Sequence, residues 1–148
     1  MVVVDTNHTS FTVSDVERCV AFFRDVIGLE LVSMEPRDPD VIEAITGVEG
    51  AEVMVAYLRG HGHTIEMIEY RAPEDRVHIR PRPCDVGFAH VAYDVSDLDA
   101  ALAAAAADDV YALGPPVTLQ QGPNRGLRIA YLRDPDGITL EFIEKPSG

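Results

Sequence analysis

The stretch Ala130–Glu144 has the sequence AYLRDPDGITLEFIE, and much of it already occurs at Ala56–Glu69, AYLRGHGHTIEMIE. Both stretches contain Tyr-Leu-Arg, then a turn that is one residue longer in the later stretch, and then Glu-x-x-Glu. The first glutamates of the two stretches are Glu66 and Glu141. A repeat of this kind indicates a duplicated structural module.

A second pair of matching stretches lies upstream of the first. His8–Val16, HTSFTVSDV, aligns with His90–Leu98, HVAYDVSDL, with identical histidine, valine, serine and aspartate in register. Each half of the chain therefore contains His, Val-Ser-Asp, Tyr-Leu-Arg and Glu in the same order. One matching string can arise by chance, whereas two in the same order indicate a duplication.

The pattern of apolar residues predicts the same order of elements in both halves. In the first half, HTSFTVSD alternates as a strand does, and its Ser-Asp end suits the N-cap of a helix. The next residues carry apolar side chains at helical spacing up to Gly28, which suits a C-cap. A strand and a hairpin around Gly-His-Gly follow, which gives strand–helix–strand–strand–strand. The first half alone also contains DPDVIEAITG, which predicts a short additional helix.

These elements predict an α+β fold built from two tandem βαβββ modules in a single domain, residues 1–148. The modules extend over about residues 5–72 and 86–145. The linker between them contains Pro81 and Pro83, which predict an extended and stiff connection.

Composition excludes several classes of partner. The net charge of −13 argues against binding to nucleic acid and to anionic membrane surfaces. No apolar run approaches the ~20 residues of a membrane-spanning helix, and the first residues do not resemble a signal peptide. Cys19 and Cys84 form neither a disulfide framework nor a CxxC motif. The sequence predicts a cytosolic protein.

Strand alternation indicates where the repeated polar residues point. His8 and His90 lie opposite the apolar faces of their strands, and those apolar faces should cover the helices. Both histidines should therefore point away from the helices, into the space that the sheets enclose. Glu66 and Glu141 add one carboxylate to each module.

Other polar residues of the repeat are interpreted as surface groups. Glu69 and Glu144 stand on the opposite faces of their strands from Glu66 and Glu141, and we interpret them as exposed charges. Arg125 and Arg128 are each either a surface charge or a contact for an anionic substrate. The turn residues His61 and His63 should be solvated.

Two imidazoles and two carboxylates form a donor set that suits a divalent transition metal. A single strand histidine is ordinarily a half-buried residue with no ligand role, and a single glutamate is ordinarily paired or solvated. Here, however, two histidines and two glutamates recur at equivalent positions of a duplication, namely His8, Glu66, His90 and Glu141. The residues alone therefore support a metal site as strongly as they support side chains with no ligand role.

At these residues the chain resembles the vicinal oxygen chelate superfamily, which includes glyoxalase I, methylmalonyl-CoA epimerase, extradiol dioxygenases and the fosfomycin and bleomycin resistance proteins. The resemblance covers nearly the whole chain, and YLRDPDGITLEFIE is its most characteristic string. It implies paired βαβββ modules whose curled mixed sheets surround a metal ion. It also implies that this ion is a divalent Zn, Ni, Co, Mn or Fe, bound by four residues, namely His8, Glu66, His90 and Glu141.

The implied ligand set favours a non-redox isomerase, epimerase or lyase that acts on a small carbonyl or hydroxycarbonyl substrate, similar to glyoxalase I or methylmalonyl-CoA epimerase. A ligand carboxylate of such an enzyme moves a substrate proton, so Glu66 and Glu141 are both candidate bases. One alternative is an extradiol-type Fe(II) dioxygenase that uses His8, His90 and Glu141. A second alternative is a non-catalytic resistance protein that binds a small-molecule drug. The resemblance further implies a homodimer, with each site formed within one chain or shared by two.

Overall fold

The structure, a computed structural model, describes residues 2–146, which form two compact units. The first unit ends at Val77 and the second begins at His78. This boundary lies inside the segment predicted as the linker between the two modules.

Each unit contains its own mixed sheet. The first unit consists of β1 (Thr9–Val13), α1 (Val16–Asp25), β2 (Glu30–Pro36), α2 (Pro39–Thr46), β3 (Glu52–Gly60) and β4 (His63–Ala72). The second unit consists of β5 (His90–Val95), α3 (Leu98–Ala107), β6 (Tyr111–Ala112), β7 (Val117–Thr118), β8 (Arg128–Arg133) and β9 (Thr139–Glu144).

The two sheets have equivalent strand orders. The first sheet has the order β1-β4-β3-β2, and the second has β5-β9-β8-β6, with β7 also pairing with β8. In each unit the first strand runs parallel to the last, and the other pairings are antiparallel. The predicted α+β fold with two βαβββ-like modules is thus confirmed, and the short strand β7 is an element that the sequence did not predict.

The helix-facing sides of the sheets form the two cores. The core of the first unit includes Val20, Phe22, Phe23, Leu58, Ile65 and Met67, each no more than 4% exposed. The core of the second unit includes Leu98, Leu132, Leu140 and Phe142, each no more than 2% exposed. These strand residues alternate with the polar residues of the repeat, as the predicted period of two requires.

Two carboxylates cap the first helix of each unit. At α1, the side chain of Asp15 accepts a hydrogen bond from the backbone N–H of Arg18, and Glu69 Oε2 accepts one from the N–H of Val16 at 2.9 Å. At α3, Asp97 and Glu144 make the equivalent bonds, and the bond from the N–H of Leu98 to Glu144 is 2.7 Å long.

The interpretation of Glu69 and Glu144 as exposed surface charges was wrong. Their side chains are only 19% and 20% exposed. The free N–H groups and the dipole at a helix N-terminus attract a carboxylate, and this attraction holds both side chains at the helix ends.

The inserted helix α2 forms as predicted. Asp38 is its N-cap, Pro39 occupies its first turn, and Gly47 ends it in the left-handed conformation with a φ of 70°. No residue of α2 is fully buried.

The histidines of the Gly-His-Gly turn and β4 are bonded rather than simply solvated. His61 has a φ of 53° in the turn between β3 and β4, and its Nε2 atom lies 2.9 Å from the carbonyl oxygen of Ile27. His63 Nε2 lies 2.8 Å from Thr9 Oγ1. These bonds tie the turn to the end of α1 and to β1. None of the helices in residues 2–146 is long and apolar enough to cross a membrane.

Candidate metal centre

In the first unit, strand pairing brings His8 and Glu66 together. The parallel register of β1 and β4 pairs Ser10 with Glu66, so His8, one residue before β1, lies beside the same strand. The Nε2 atom of His8 is 3.4 Å from Glu66 Oε2. Glu66 is only 9% exposed, which is rare for a carboxylate without partners.

Glu66 has a second partner on the neighbouring strand. The antiparallel register of β3 and β4 pairs Tyr57 with Glu66, and the Tyr57 hydroxyl donates a 2.5 Å hydrogen bond to Glu66 Oε1. This bond, followed by burial, raises the pKa of Tyr57. The Tyr57 ring also meets the His8 ring edge-on, with 5.9 Å between the centroids.

The side chain of Asn7 contacts the His8 ring. Asn7 Oδ1 lies 2.6 Å from His8 Nδ1, and an amide oxygen only accepts hydrogen bonds. A neutral His8 ring that donates from Nδ1 to Asn7 has its Nε2 lone pair directed toward Glu66. A metal-binding histidine commonly has this arrangement, in which the other ring nitrogen donates to a fixed acceptor.

The second unit repeats this arrangement. The β5–β9 and β8–β9 registers place Ala92 and Tyr131 opposite Glu141, as Ser10 and Tyr57 stand opposite Glu66. His90 Nε2 lies 3.0 Å from Glu141 Oε2. The side chains of His90 and Glu141 are 30% and 15% exposed, so both are partly open to solvent.

The surroundings of His90 are more aromatic than those of His8. The His90 ring has the Tyr131 ring at 4.9 Å and the Phe88 ring at 5.9 Å, measured between centroids. The Tyr131 hydroxyl lies 3.5 Å from His90 Nε2. Burial raises the pKa of Tyr131, and the charge of Glu141 adds to this effect.

The two glutamates therefore differ in their partners. Tyr57 holds one oxygen of Glu66 and His8 approaches the other. Among the described residues, Glu141 has its single side-chain partner in His90. Glu141 is the less constrained of the two carboxylates.

The chemistry of each pair fits one side of a metal site. An octahedral ion with bonds of about 2.1 Å places adjacent donor atoms about 3 Å apart. The histidine–glutamate distances of 3.4 and 3.0 Å match that separation. An imidazole that carries a proton on Nε2 donates it to the carboxylate at such a distance, and a divalent cation can take the place of that proton.

The sequence predicted the histidine and glutamate of each pair but gave no role to three of their neighbours. Tyr57 and Tyr131 belong to the repeated Tyr-Leu-Arg string, and the hairpin register would have placed them opposite the glutamates. Asn7 precedes His8, and no repeat marks it because Ala89 stands at the equivalent position.

Comparisons with known proteins agree with this architecture. The 2-epi-5-epi-valiolone epimerase of an Actinomyces species is 37% identical over 98% of this chain and 81% of its own. The lactoylglutathione lyase of Haemophilus influenzae is 29% identical over 95% of this chain and 92% of its own. The crystal structure of a glyoxalase family protein from Bacillus cereus superposes with a TM-score of 0.83 at 21% identity, over 98% of this chain and 96% of that one.

A family profile also matches almost the whole chain. It covers residues 6–142, which include all four predicted ligands. The chain therefore belongs to the Glyoxalase/Bleomycin resistance protein/Dioxygenase superfamily.

Proposed function

We propose that this protein is a metal-dependent isomerase, epimerase or lyase that moves a proton at the carbon next to a carbonyl group of a small substrate. The observation that carries the proposal is the contact between imidazole and carboxylate in each unit, 3.4 Å for His8–Glu66 and 3.0 Å for His90–Glu141. The relatives named as an epimerase and a lyase support the same two reaction classes.

The proposed ligands of the metal are His8, Glu66, His90 and Glu141. A bound divalent ion would supply Lewis acidity that stabilises negative charge on the substrate oxygen. The candidate ions are Zn, Ni, Co, Mn and Fe, because mixed nitrogen and oxygen donors suit all of them.

Glu141 is the proposed base. A carboxylate that removes a proton must be able to move between its resting position and the substrate carbon. The Tyr57 hydroxyl donates a 2.5 Å hydrogen bond to Glu66, whereas Glu141 is hydrogen-bonded to His90 alone among the described side chains. Glu141 would accept the proton from carbon and return it to the same or a neighbouring carbon, while Glu66 stays in place.

Isotope exchange tests the reaction class. The metal-loaded protein is incubated without oxygen in heavy water with 2-epi-5-epi-valiolone, a glutathione hemithioacetal and acyl-CoA thioesters. We expect deuterium at the carbon next to the carbonyl of at least one compound, and a decrease of about a hundredfold or more in Glu141→Gln. Glu17→Gln, an exposed carboxylate on α1, is the matched control. Absence of exchange, together with oxygen consumption on catechols and Fe(II), would instead assign the protein to the dioxygenases.

We further propose that the protein is a homodimer, the commonest symmetric assembly. Mixing a His8→Ala chain with a His90→Ala chain tests whether two protomers share a site. Hybrid dimers regain one intact site if the histidines of a site come from different protomers. They stay inactive if each protomer supplies both, and a monomer in sedimentation would contradict the dimer.

A further inference from the structure

The guanidinium of Arg37 lies over the tyrosine that donates to Glu66. The β2–β3 register pairs Ser33 with Tyr57, and strand alternation places Arg37, directly after β2, on the same face of the sheet. The backbone of Arg37 lies beside Val53, nearer the start of β3. Its side chain extends back along the sheet, so that the guanidinium carbon lies 5.9 Å from the centre of the Tyr57 ring. This contact is a cation–π interaction.

The same guanidinium also acts on the Tyr57 hydroxyl. The hydrogen bond to Glu66 is the main cause of the raised pKa of Tyr57, and the charge and hydrogen bonding of Arg37 oppose that rise. A cation beside the phenol oxygen polarises the O–H bond, which strengthens its donation to a carboxylate. Arg37, Tyr57 and Glu66 therefore form a chain of contacts that ends at a proposed metal ligand.

Arg37 has one ion pair within residues 2–146, and that pair is weak. Its partner is Glu35, at an N–O distance of 3.7 Å, and the Glu35 side chain is 71% exposed, so the pair contributes little. The Arg37 side chain itself is 33% exposed and thus mostly covered. The Tyr57 ring is the aromatic surface against which it packs.

The second unit lacks such a cation, and its tyrosine has a different partner. Tyr131 stands opposite Glu141 in the β8–β9 register, as its counterpart does in the β3–β4 register. Within the described part of the second unit, no arginine lies over the Tyr131 ring, and its hydroxyl approaches His90 rather than Glu141. The tyrosine that has an arginine donates to its glutamate, and the tyrosine without one does not.

The arginines of β8 are bonded away from Tyr131. Arg133 donates to the carbonyl oxygen of Pro81 at 2.9 Å. Arg128, an anion-binding candidate from the sequence, is bonded to Asp99 and Glu144. The duplication has therefore kept the contact between arginine and tyrosine at one of the two glutamates.

We propose that Arg37 is a positioning residue for Glu66, and that its guanidinium keeps the Tyr57 hydroxyl in the orientation that donates to this carboxylate. The proposal rests on the proposed function, in which Glu66 is a metal ligand, and adds a residue outside the four ligands that sets metal affinity. Positioning and simple charge repulsion predict opposite signs. Removal of a cation near the site reduces repulsion of the incoming metal ion and should raise its affinity, whereas loss of a positioning contact should lower it.

Metal affinity in four proteins tests the proposal without turnover. Zn²⁺ competes with a chromophoric chelator for the wild type, Arg37→Gln, Tyr57→Phe and the double variant. We expect Arg37→Gln to bind Zn²⁺ roughly three- to tenfold more weakly than the wild type. In the Tyr57→Phe background it should cause no further weakening, because the hydroxyl through which it acts is absent. Unchanged or tighter binding by Arg37→Gln, or an equal loss in both backgrounds, would overturn the proposal.

Two further variants control for charge and for folding. Arg24→Gln removes an exposed cation from α1 and should bind Zn²⁺ like the wild type. Arg37→Lys keeps the charge but lacks the planar guanidinium, so it should also bind more weakly than the wild type. If Arg37→Gln does not fold, as judged by urea denaturation, Arg37→Lys replaces it in the comparison with Tyr57→Phe, and the same outcomes decide.

A signal from metal-free protein separates this proposal from the proposed function. The NMR resonance of isotope-labelled tyrosine Cζ reports hydrogen bonding of the hydroxyl, and its loss in Tyr57→Phe assigns it. We expect Arg37→Gln to shift the Tyr57 resonance in the same direction as Glu66→Gln, because both weaken one hydrogen bond, and Arg24→Gln to leave it in place. An unchanged resonance would refute the positioning role while leaving the metal proposal intact. If the wild type binds no divalent ion, the metal proposal fails, and this resonance alone decides whether Arg37 orients Tyr57.

Discussion

Tyr57 and Glu66 face each other across the β3–β4 ladder, and the Tyr57 hydroxyl donates a 2.5 Å hydrogen bond to the carboxylate. Tyr131 and Glu141 occupy the equivalent positions of the β8–β9 ladder, but the Tyr131 hydroxyl approaches His90 Nε2 instead, at 3.5 Å. The same backbone arrangement thus fixes one glutamate and leaves the other freer. This difference supports separate roles for the two copies.

Tyr57→Phe should lower metal affinity. The variant keeps the ring that packs against His8 but removes the hydroxyl that orients Glu66, and loss of such a partner typically costs about ten- to a hundredfold in affinity or activity. Metal affinity is measured by competition with a chromophoric chelator. Tyr131→Phe is the matched control, and its metal affinity should fall less because Glu141 does not depend on that hydroxyl. Equal effects of the two variants would contradict the proposed difference between the glutamates.

Removal of a proposed ligand should lower metal occupancy. Purified protein should contain about one divalent ion per chain, and His8→Ala or Glu141→Ala should contain less, because each loses a donor atom. Elemental analysis after chelator treatment and reloading gives the occupancy. His61→Ala is the control, since His61 bonds to the carbonyl of Ile27 rather than to Glu66. A metal-free protein with full activity would refute the metal proposal.

The sequence predicted the parts of the structure that depend on local pattern and repetition. Alternation placed Glu66 and Glu69 on opposite faces of one strand, and the duplication identified the histidines and glutamates that lie in pairs. It did not predict the partners of Glu69, because a free helix N–H group across the unit leaves no mark in the local pattern of β4. Nor did it predict the role of Tyr57, since that role depends on the hairpin register rather than on spacing along one strand.

Glu69 and Glu144, which accept hydrogen bonds from the first N–H groups of α1 and α3, should contribute to the stability of the protein. Glu69→Ala removes the acceptor for the N–H of Val16, and loss of such a cap costs about 1 kcal/mol of unfolding free energy. Glu69→Gln keeps an acceptor oxygen and should cost less. Urea denaturation measures the difference, and Glu17→Ala, an exposed acidic residue in the same helix turn, provides the comparison. An unchanged midpoint in Glu69→Ala would exclude a capping contribution.

Tyr93 on β5 should make the folded protein sensitive to strongly alkaline solution. Burial raises the pKa of Tyr93 to about 12, whereas a tyrosine in the unfolded chain ionises near 10. Between these pH values the unfolded chain has lost the phenolic proton and the folded chain retains it, so the free energy of unfolding falls as pH rises through this window.

In Tyr93→Phe this contribution is absent, and stability should decline less from pH 10 to pH 12 than in the wild type. Denaturant titration at several pH values measures the decline, and phenolate absorbance of the native protein reports the ionisation directly. Tyr111→Phe is the comparison and should change the decline less than Tyr93→Phe, because the hydrogen bond to Asp109 that raises the pKa of Tyr111 is exposed to solvent. If Tyr93→Phe loses as much stability over this range as the wild type, proton retention by Tyr93 does not cause the decline.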